Sequence, residues 1–325
     1  MGLSGRLCCD DAVVDDDAGA DDDVVLHDDT VVDDRPERLR EVAEQLVAGA
    51  ADFVRRRRSE IFGAGAREGE GDTAAGQAAA VQAPAVRTKS SPTDPVTVAD
   101  TETEQLIRDR LAQCRPGESV LGEEGGGTAD PDGIRWVVDP IDGTVNFLYG
   151  LPAYAVSVAA QINGVSVAGA VADVAGGRVY SAAAGLGAQV IADGERRRIA
   201  CNHVTDLSMA LLGTGFGYAP ARRAAQAALL ARMLPEVRDV RRIGSAALDL
   251  CMVAAGRLDV YYEHGLQVWD WAAGALIAAE AGALVVLPEK GGSGGGGGLL
   301  VAAAPGVATQ LIETLDRFSG LRPIE

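Results

Sequence analysis

Asp139 and Asp142 stand three residues apart in Trp136-Val137-Val138-Asp139-Pro140-Ile141-Asp142-Gly143-Thr144-Val145-Asn146-Phe147. Carboxylates held this close repel each other and raise each other's pKa unless a cation lies between them. Oxygen-only ligands on a tight turn suit a hard divalent ion such as Mg²⁺. Gly143 lets backbone approach a ligand closely, and the Gly143 and Thr144 N–H groups can point at an anion. A cation beside an anion nest suggests phosphate chemistry. Pro, Asp and Gly are also ordinary turn residues, so the same segment fits a solvated acidic turn. Other parts of the chain must decide.

The elements around this segment are readable by pattern. Ile134–Val138 is a short apolar run that predicts a buried strand ending at Pro140, which cannot donate to a sheet ladder. Upstream, Pro36 to about Glu60 carries Leu39, Val42, Leu46, Val47, Ala50 and Phe53 at helical spacing. Arg55–Arg58 at its end complement the helix's negative pole. Val96-Thr97-Val98 is extended, and a helix follows through Cys114 with Thr101 and Glu104 as a capping box, or Asp100 as the cap. Ser119–Leu121 is a short strand running into Glu123 and Glu124. Ala153–Ala160, Val165–Val174, Arg178–Ala182 and Ala188–Ile191 form an antiparallel meander separated by glycine turns.

Downstream the pattern alternates. Strands are expected at Leu207–Thr214, Arg257–Glu263 and Ala283–Leu287. Helices are expected at Ala221–Met233, Ser245–Ala255 and from Trp269-Asp270 through Glu280, and Leu299–Ala302 with Ala304–Leu315 closes the chain. Alternating α and β layers with mixed sheets are the predicted architecture.

Composition sets the limits. The 325 residues suffice for one large core or two fused ones, and aromatics are only 4%, so Ala, Val and Leu must do most of the packing. The net charge of −18 is concentrated at the front: residues 1–34 hold twelve Asp and one Arg, for −11, leaving −7 for residues 35–325. That acidic run has no period and reads as a solvated tail, which argues against nucleic acid binding through this end. Gly63–Ala85 and Gly291–Gly298 read as loops. Five scattered cysteines without a CxxC pattern point to reduced thiols and a cytoplasmic setting. No apolar stretch is long enough to span a bilayer, and no charged-then-apolar leader opens the chain.

Four acidic positions now fall at element ends: Asp100, Glu123, the Asp139/Asp142 pair and Asp270. With Lys89–Asp100 (KSSPTDPVTVAD), Gly122–Glu124 (GEE), Gly244–Glu263 and Trp269–Gly274 (WDWAAG) in the same order, the chain from about Pro36 to Leu315 resembles the inositol monophosphatase family. The resemblance implies an α/β (α+β) fold, a layered α-β-α-β-α sandwich of the inositol monophosphatase and fructose-1,6-bisphosphatase type. Residues 1–34 would be a tail and 35–325 the catalytic domain, with halves at about 35–200 and 201–325. It implies Mg²⁺, two or three ions. Glu123, Asp139 and the Ile141 carbonyl would hold the first, and Asp139, Asp142 and Asp270 the second. Thr144 and Asp100, with Glu123, would serve catalysis on a metal-activated water. Asp142, Gly143, Thr144, Ala246 and Glu263 would bind substrate. The stretch before Lys89 is longer and richer in Ala and Gly than is usual in the family, which bears on a third ion.

The expected reaction is hydrolysis of myo-inositol-1-phosphate or a related polyol phosphate by a lithium-sensitive cytoplasmic homodimer. Alternatives are the same chemistry on histidinol phosphate or fructose-1,6-bisphosphate, or a regulatory binding role on this fold. A bisphosphate would want a second basic cluster near the sugar, for which Arg241 and Arg242 are candidates. Tyr261 and Tyr262 read as strand core. His264 and Gln267 lie beside Glu263, as specificity contacts or as solvated loop positions.

Overall fold

The computed structural model describes residues 33–63, 86–88, 95–127, 133–288 and 298–324. Expectations placed on residues 1–32, on the loop at 64–85, on Lys89 and on the glycine run at 289–297 lie outside the described residues.

Helix α1 (Pro36–Phe62) starts on a proline, whose fixed φ suits the first helical turn. Its apolar stripe, Leu39, Val42, Leu46, Val47, Ala50 and Val54, is buried. Strands β1 (Val86–Thr88) and β2 (Pro95–Thr97) pair, and α2 (Val98–Cys114) follows at once. A sheet then forms from β3 (Ser119–Gly122), β4 (Ile134–Asp142), β5 (Ala155–Ile162), β6 (Val165–Asp173), β7 (Arg178–Ala183), β8 (Gly187–Ala192) and β9 (Glu195–Ile199), in that spatial order. Only its first pair, β3 and β4, is parallel. The short α3 (Thr144–Tyr149) leaves β4 directly.

The second part holds β10 (Leu211–Thr214), α4 (Pro220–Met233), β11 (Asp239–Arg241), α5 (Ala246–Ala254), β12 (Val260–His264), α6 (Val268–Glu280), β13 (Leu284–Val286), β14 (Leu299–Ala303) and α7 (Ala308–Arg317). Its five-stranded sheet runs β11-β10-β12-β14-β13, with β10 parallel to both neighbours and the other pairs antiparallel.

Four apolar clusters fill the spaces between five layers. Strand periodicity sorts side chains between the first two: Val156, Val158 and Ala160 face α1 and α2, while Ala155 and Ala159 face α5 and α6. The same two helices cover the five-stranded sheet on their other side through Leu250, Val253 and Ala275, and α4 and α7 close its far face through Leu229, Met233, Leu311 and Leu315. The expected α-β-α-β-α sandwich is thus observed. Small residues make the central contact close: a Cβ on Gly169 would sit 3.0 Å from the Cβ of Ala273. That is how a chain poor in aromatics fills its core.

Several local expectations are corrected. The capping box of α2 is Thr97 with Asp100, one turn before the expected Thr101 and Glu104, so Val98 is helical and not extended. Leu207–Met209 is a 3-10 turn capped by Asp206, and the strand begins at Leu211. Strands β9 and β11 carry exposed, mostly polar residues at sheet edges, so no apolar alternation announces them. The Arg55–Arg58 run reaches sideways: Arg55 donates to the Val174 carbonyl (2.9 Å), Arg57 to Glu102 (2.6 Å) and Arg58 to the Phe147 carbonyl (2.9 Å). Buried Glu44 on α1 accepts from Ser181, Gln189 and Arg196. Burial would raise its pKa, but Arg196, Ser181 and Gln189 hold it below the ordinary value. Among the described residues no helix is long and apolar enough to cross a membrane.

Candidate active site

Strand register brings the first two acids together. Gly122 lies opposite Val138 in the parallel β3–β4 pair, so Glu123 and Asp139 come next, side by side, where both strands run out. The Glu123 N–H donates to the Val138 carbonyl at 3.2 Å. Carboxyl ends of parallel strands are where such sheets gather ligands.

Strand β4 does not end at Pro140, as its sequence led us to expect. Asp139 pairs with Ser157 and Asp142 with Ala155, so three steps on β4 match two on β5. Pro140 lies in this bulge, where a missing N–H costs no ladder bond. The bulge re-aims the chain, so Asp139 and Asp142 both face one cavity of about 530 Å³. Glu123, Ile141, Gly143, Thr144, Ala246, Glu263 and Asp270 line it too. Of the residues implied as metal ligands, catalytic groups or substrate contacts, Asp100 alone lies behind the wall.

Each acid is held by protein donors. Asp139, 1% exposed, accepts from the Ile141 N–H (3.1 Å). Asp142 accepts from Ser245 Oγ (2.6 Å) and the Ala247 N–H (2.7 Å), which ties β4 to the start of α5. Asp270 is the third residue of α6 and accepts from the Gln267 N–H (2.6 Å) in a capping box. Asp100 has the same place in α2 and uses both oxygens. Oδ2 accepts from the Thr97 N–H (2.8 Å) and Oδ1 meets Thr144 Oγ1 at 3.1 Å. Cap and site residue are therefore one and the same. Thr144 Oγ1 also lies 3.0 Å from the Ile141 carbonyl.

The electrostatics are those of crowded acids. Burial raises the pKa of Asp139 well above the carboxylate range, and Glu123, Asp142 and Asp270 raise it further. Burial, then Asp142 and Glu123, do the same to Asp270. Asp142 is pushed up to about 6, chiefly by burial, against the hydrogen bonds from Ser245 and Ala247. Burial lifts Asp100 to about 7 and Glu263 to about 7. No basic side chain is a leading influence on Asp139, Asp142 or Asp270. Among the described residues no three Asp, Glu, His or Cys side chains converge tightly enough, as they stand, to ligate one ion. Turned onto protein donors, the acids surround the cavity instead of meeting at a point. A donor set of carboxylates and one carbonyl, buried and mutually repelling, fits a hard divalent cation.

Glu104 and Arg108 escaped the sequence reading. Freed from capping, buried Glu104 accepts from the Glu124 and Gly125 N–H groups (2.8 and 2.9 Å) and from Arg108 (2.8 Å). Arg108 also donates to the Gly126 carbonyl at 2.6 Å. Gly122 is required here, since its Cβ would sit 2.3 Å from the Glu104 carboxyl. This bracket fixes the loop that carries Glu123. The i, i+4 spacing of Glu104 and Arg108 was the only visible signal.

At the other end, Tyr261 donates to Glu263 Oε2 at 2.6 Å, so Tyr261 is both core and support. His264 is not a solvated loop residue but a buried strand residue whose Nε2 lies 2.8 Å from the Gly320 carbonyl. Gln267 caps α6. Of the arginine pair, Arg242 lines the cavity, while Arg241 turns to Asp239 (2.6 Å).

Five layers around a cavity with a cluster of carboxylates at one end define a phosphatase of the metal-dependent class. Residues 35–318 match the profile of the Inositol monophosphatase family. The chain is 65% identical over 297 residues to a Mycobacterium leprae protein named inositol-1-monophosphatase, covering 90% of this chain and 98% of that one. The solved structure of Mycobacterium tuberculosis SuhB superposes with a TM-score of 0.73 at 56% identity, over 89% of this chain and 100% of that one. A Pasteurella multocida relative named Nus factor SuhB is 40% identical over 200 residues, 61% of this chain and 73% of its own. The chain belongs to the inositol monophosphatase family, whose members depend on a metal, generally Mg²⁺.

Proposed function

We propose that the protein hydrolyses a small polyol phosphate, with myo-inositol-1-phosphate the leading substrate, at two or three Mg²⁺ ions. The observation that carries this reading is the placing of Glu123 and Asp139, one position past the paired Gly122 and Val138, with Asp142 and Asp270 on one cavity. The name of the 65%-identical relative supports the substrate. Glu123, Asp139, Asp142, Asp270 and the Ile141 carbonyl would hold the ions. When bound, such ions supply positive charge that acidifies water and offsets the charge on a departing alkoxide.

The chain's own residues do the rest. Gly143 and Thr144 offer backbone N–H groups to the phosphoryl oxygens. Thr144 Oγ1, between Asp100 Oδ1 and the Ile141 carbonyl, can orient an attacking water and relay its proton to Asp100. With a pKa near 7, Asp100 exchanges a proton readily at neutral pH. Glu263, steadied by Tyr261, accepts from ring hydroxyls, and Ala246 lies where backbone can touch the same ring. A homodimer, lithium sensitivity and a cytoplasmic setting belong to the same reading.

Phosphate release from inositol-1-phosphate, histidinol phosphate and fructose-1,6-bisphosphate, with and without Mg²⁺, tests it. Mg²⁺-dependent turnover led by inositol-1-phosphate is expected; the absence of turnover on all three sinks the reading. The name of the Pasteurella relative favours a second one, a binding role in a transcription complex, which would survive in a hydrolysis-dead variant.

A further inference from the structure

Three glycines in the cavity wall each have the place of their missing Cβ taken by a charged side chain. At Gly215 that position is 2.0 Å from Glu263 Oε2, at Gly217 it is 2.7 Å from Arg222 Cδ, and at Gly244 it is 2.4 Å from Arg242 Nη1. Gly244 also has φ +93°, a conformation that side chains rarely adopt. The wall is thus built to let two guanidinium groups fold over it. Both arginines line the cavity.

Their partners are missing. Arg57, Arg108, Arg115 and Arg196 are all engaged with carboxylates, and Arg241 with Asp239. Among the described residues, neither Arg222 nor Arg242 has a hydrogen bond or ion pair to another protein group, and the Nε of Arg222 is buried without an acceptor. A buried donor left unmade is costly, so this one is open to a ligand's acceptor. The two also stand apart from the acidic end. Arg242 acts on Glu263 and Asp249, and Arg222 on His264, and neither is a leading influence on Asp139 or Asp270. The cavity therefore has an acidic end that suits cations and another end where two guanidinium groups stand near Glu263 without a hydrogen-bonded ion pair among the described residues. Guanidinium forks match phosphate oxygens two at a time.

We infer that Arg222 and Arg242 form a second anion subsite in this cavity, which takes a second phosphoryl group carried by the polyol. The inference rests on the phosphatase reading above. It assigns to Arg222 and Arg242 the role for which sequence offered Arg241 and Arg242.

The test compares wild type with the Arg222→Gln/Arg242→Gln double variant, using inositol-1-phosphate and fructose-1,6-bisphosphate as substrates with Mg²⁺. The ratio of kcat/KM for the bisphosphate over that for the monophosphate is expected to fall at least tenfold, mostly through KM. An unchanged ratio, because both substrates suffer equally or neither does, overturns the subsite. Calorimetric titration with fructose-6-phosphate needs no turnover, and its Kd is expected to rise at least tenfold in the double variant. Equal Kd values, or no binding by wild type, overturn the subsite as well. A wild type that hydrolyses neither ester refutes the phosphatase reading, while the calorimetric arm still judges the subsite.

Discussion

Two parallel strand pairs end at the same cavity, and they arrive differently furnished. The β3–β4 pair delivers Glu123 beside Asp139, two acids in adjacent register positions. The β10–β12 pair, with Thr214 opposite Tyr262, delivers Gly215 beside Glu263, one acid beside an empty position. The first end concentrates like charge, which a bound cation or a proton relieves. The second trades side chains for room and offers both signs of charge. The difference separates chemistry from recognition: one end would be fixed by its metal, and the other is free to change with the substrate.

The strongest way to break that comparison is Asp139→Asn. Phosphate release should fall about a thousandfold, as expected when several kcal/mol of metal-borne stabilisation is lost. In EDTA the variant should melt above wild type, because one of four mutually repelling acids is gone, and it is the buried one. Lower activity with a lower melting temperature would mean that Asp139 is structural. Next comes Glu104→Gln, which loosens the Glu123 loop without touching the cavity. The Mg²⁺ concentration for half-maximal activity should rise about 10–100-fold, with kcat at saturating Mg²⁺ much less affected. A kcat loss that Mg²⁺ does not restore would remove Glu104 from metal positioning.

The smallest effect belongs to the second end. Glu263→Gln should raise KM for inositol-1-phosphate about tenfold, the worth of one charge-assisted hydrogen bond, and leave kcat within about threefold. Glu263 is neutral below about 7 and ionised above it. Wild-type KM should therefore fall as pH rises through that value, and the variant's should stay flat. A kcat loss matching that of Asp139→Asn would erase the division between the ends.

The sequence made the layers legible because hydrophobic period and glycine turns are local signals, and β5 and β6 behave accordingly. It made the acids legible because each falls near a strand-to-loop or loop-to-helix junction. What stayed hidden was set by register or by distant partners. Pro140 looked like a stop because nothing in the segment announces a bulge. Glu104 looked like a cap because its true acceptor role depends on a loop twenty residues away. Asp100 looked like a choice between two roles, although a carboxylate has two oxygens, one of which caps α2 while the other meets Thr144. The exposed edges β9 and β11 gave no apolar pattern to find.

The helical layer of α5 and α6 comes from the C-terminal half of the sequence, yet it covers one face of a sheet from the N-terminal half. Ala155, Ala159, Val171, Tyr180 and Ala182 lie under it. A fragment cut at residue 200 would keep Glu123, Asp139 and Asp142 but present that face to water as a bare apolar plane. The two halves of the sequence are thus one folding unit: that face of the first sheet stays dry because helices from the second half lie on it.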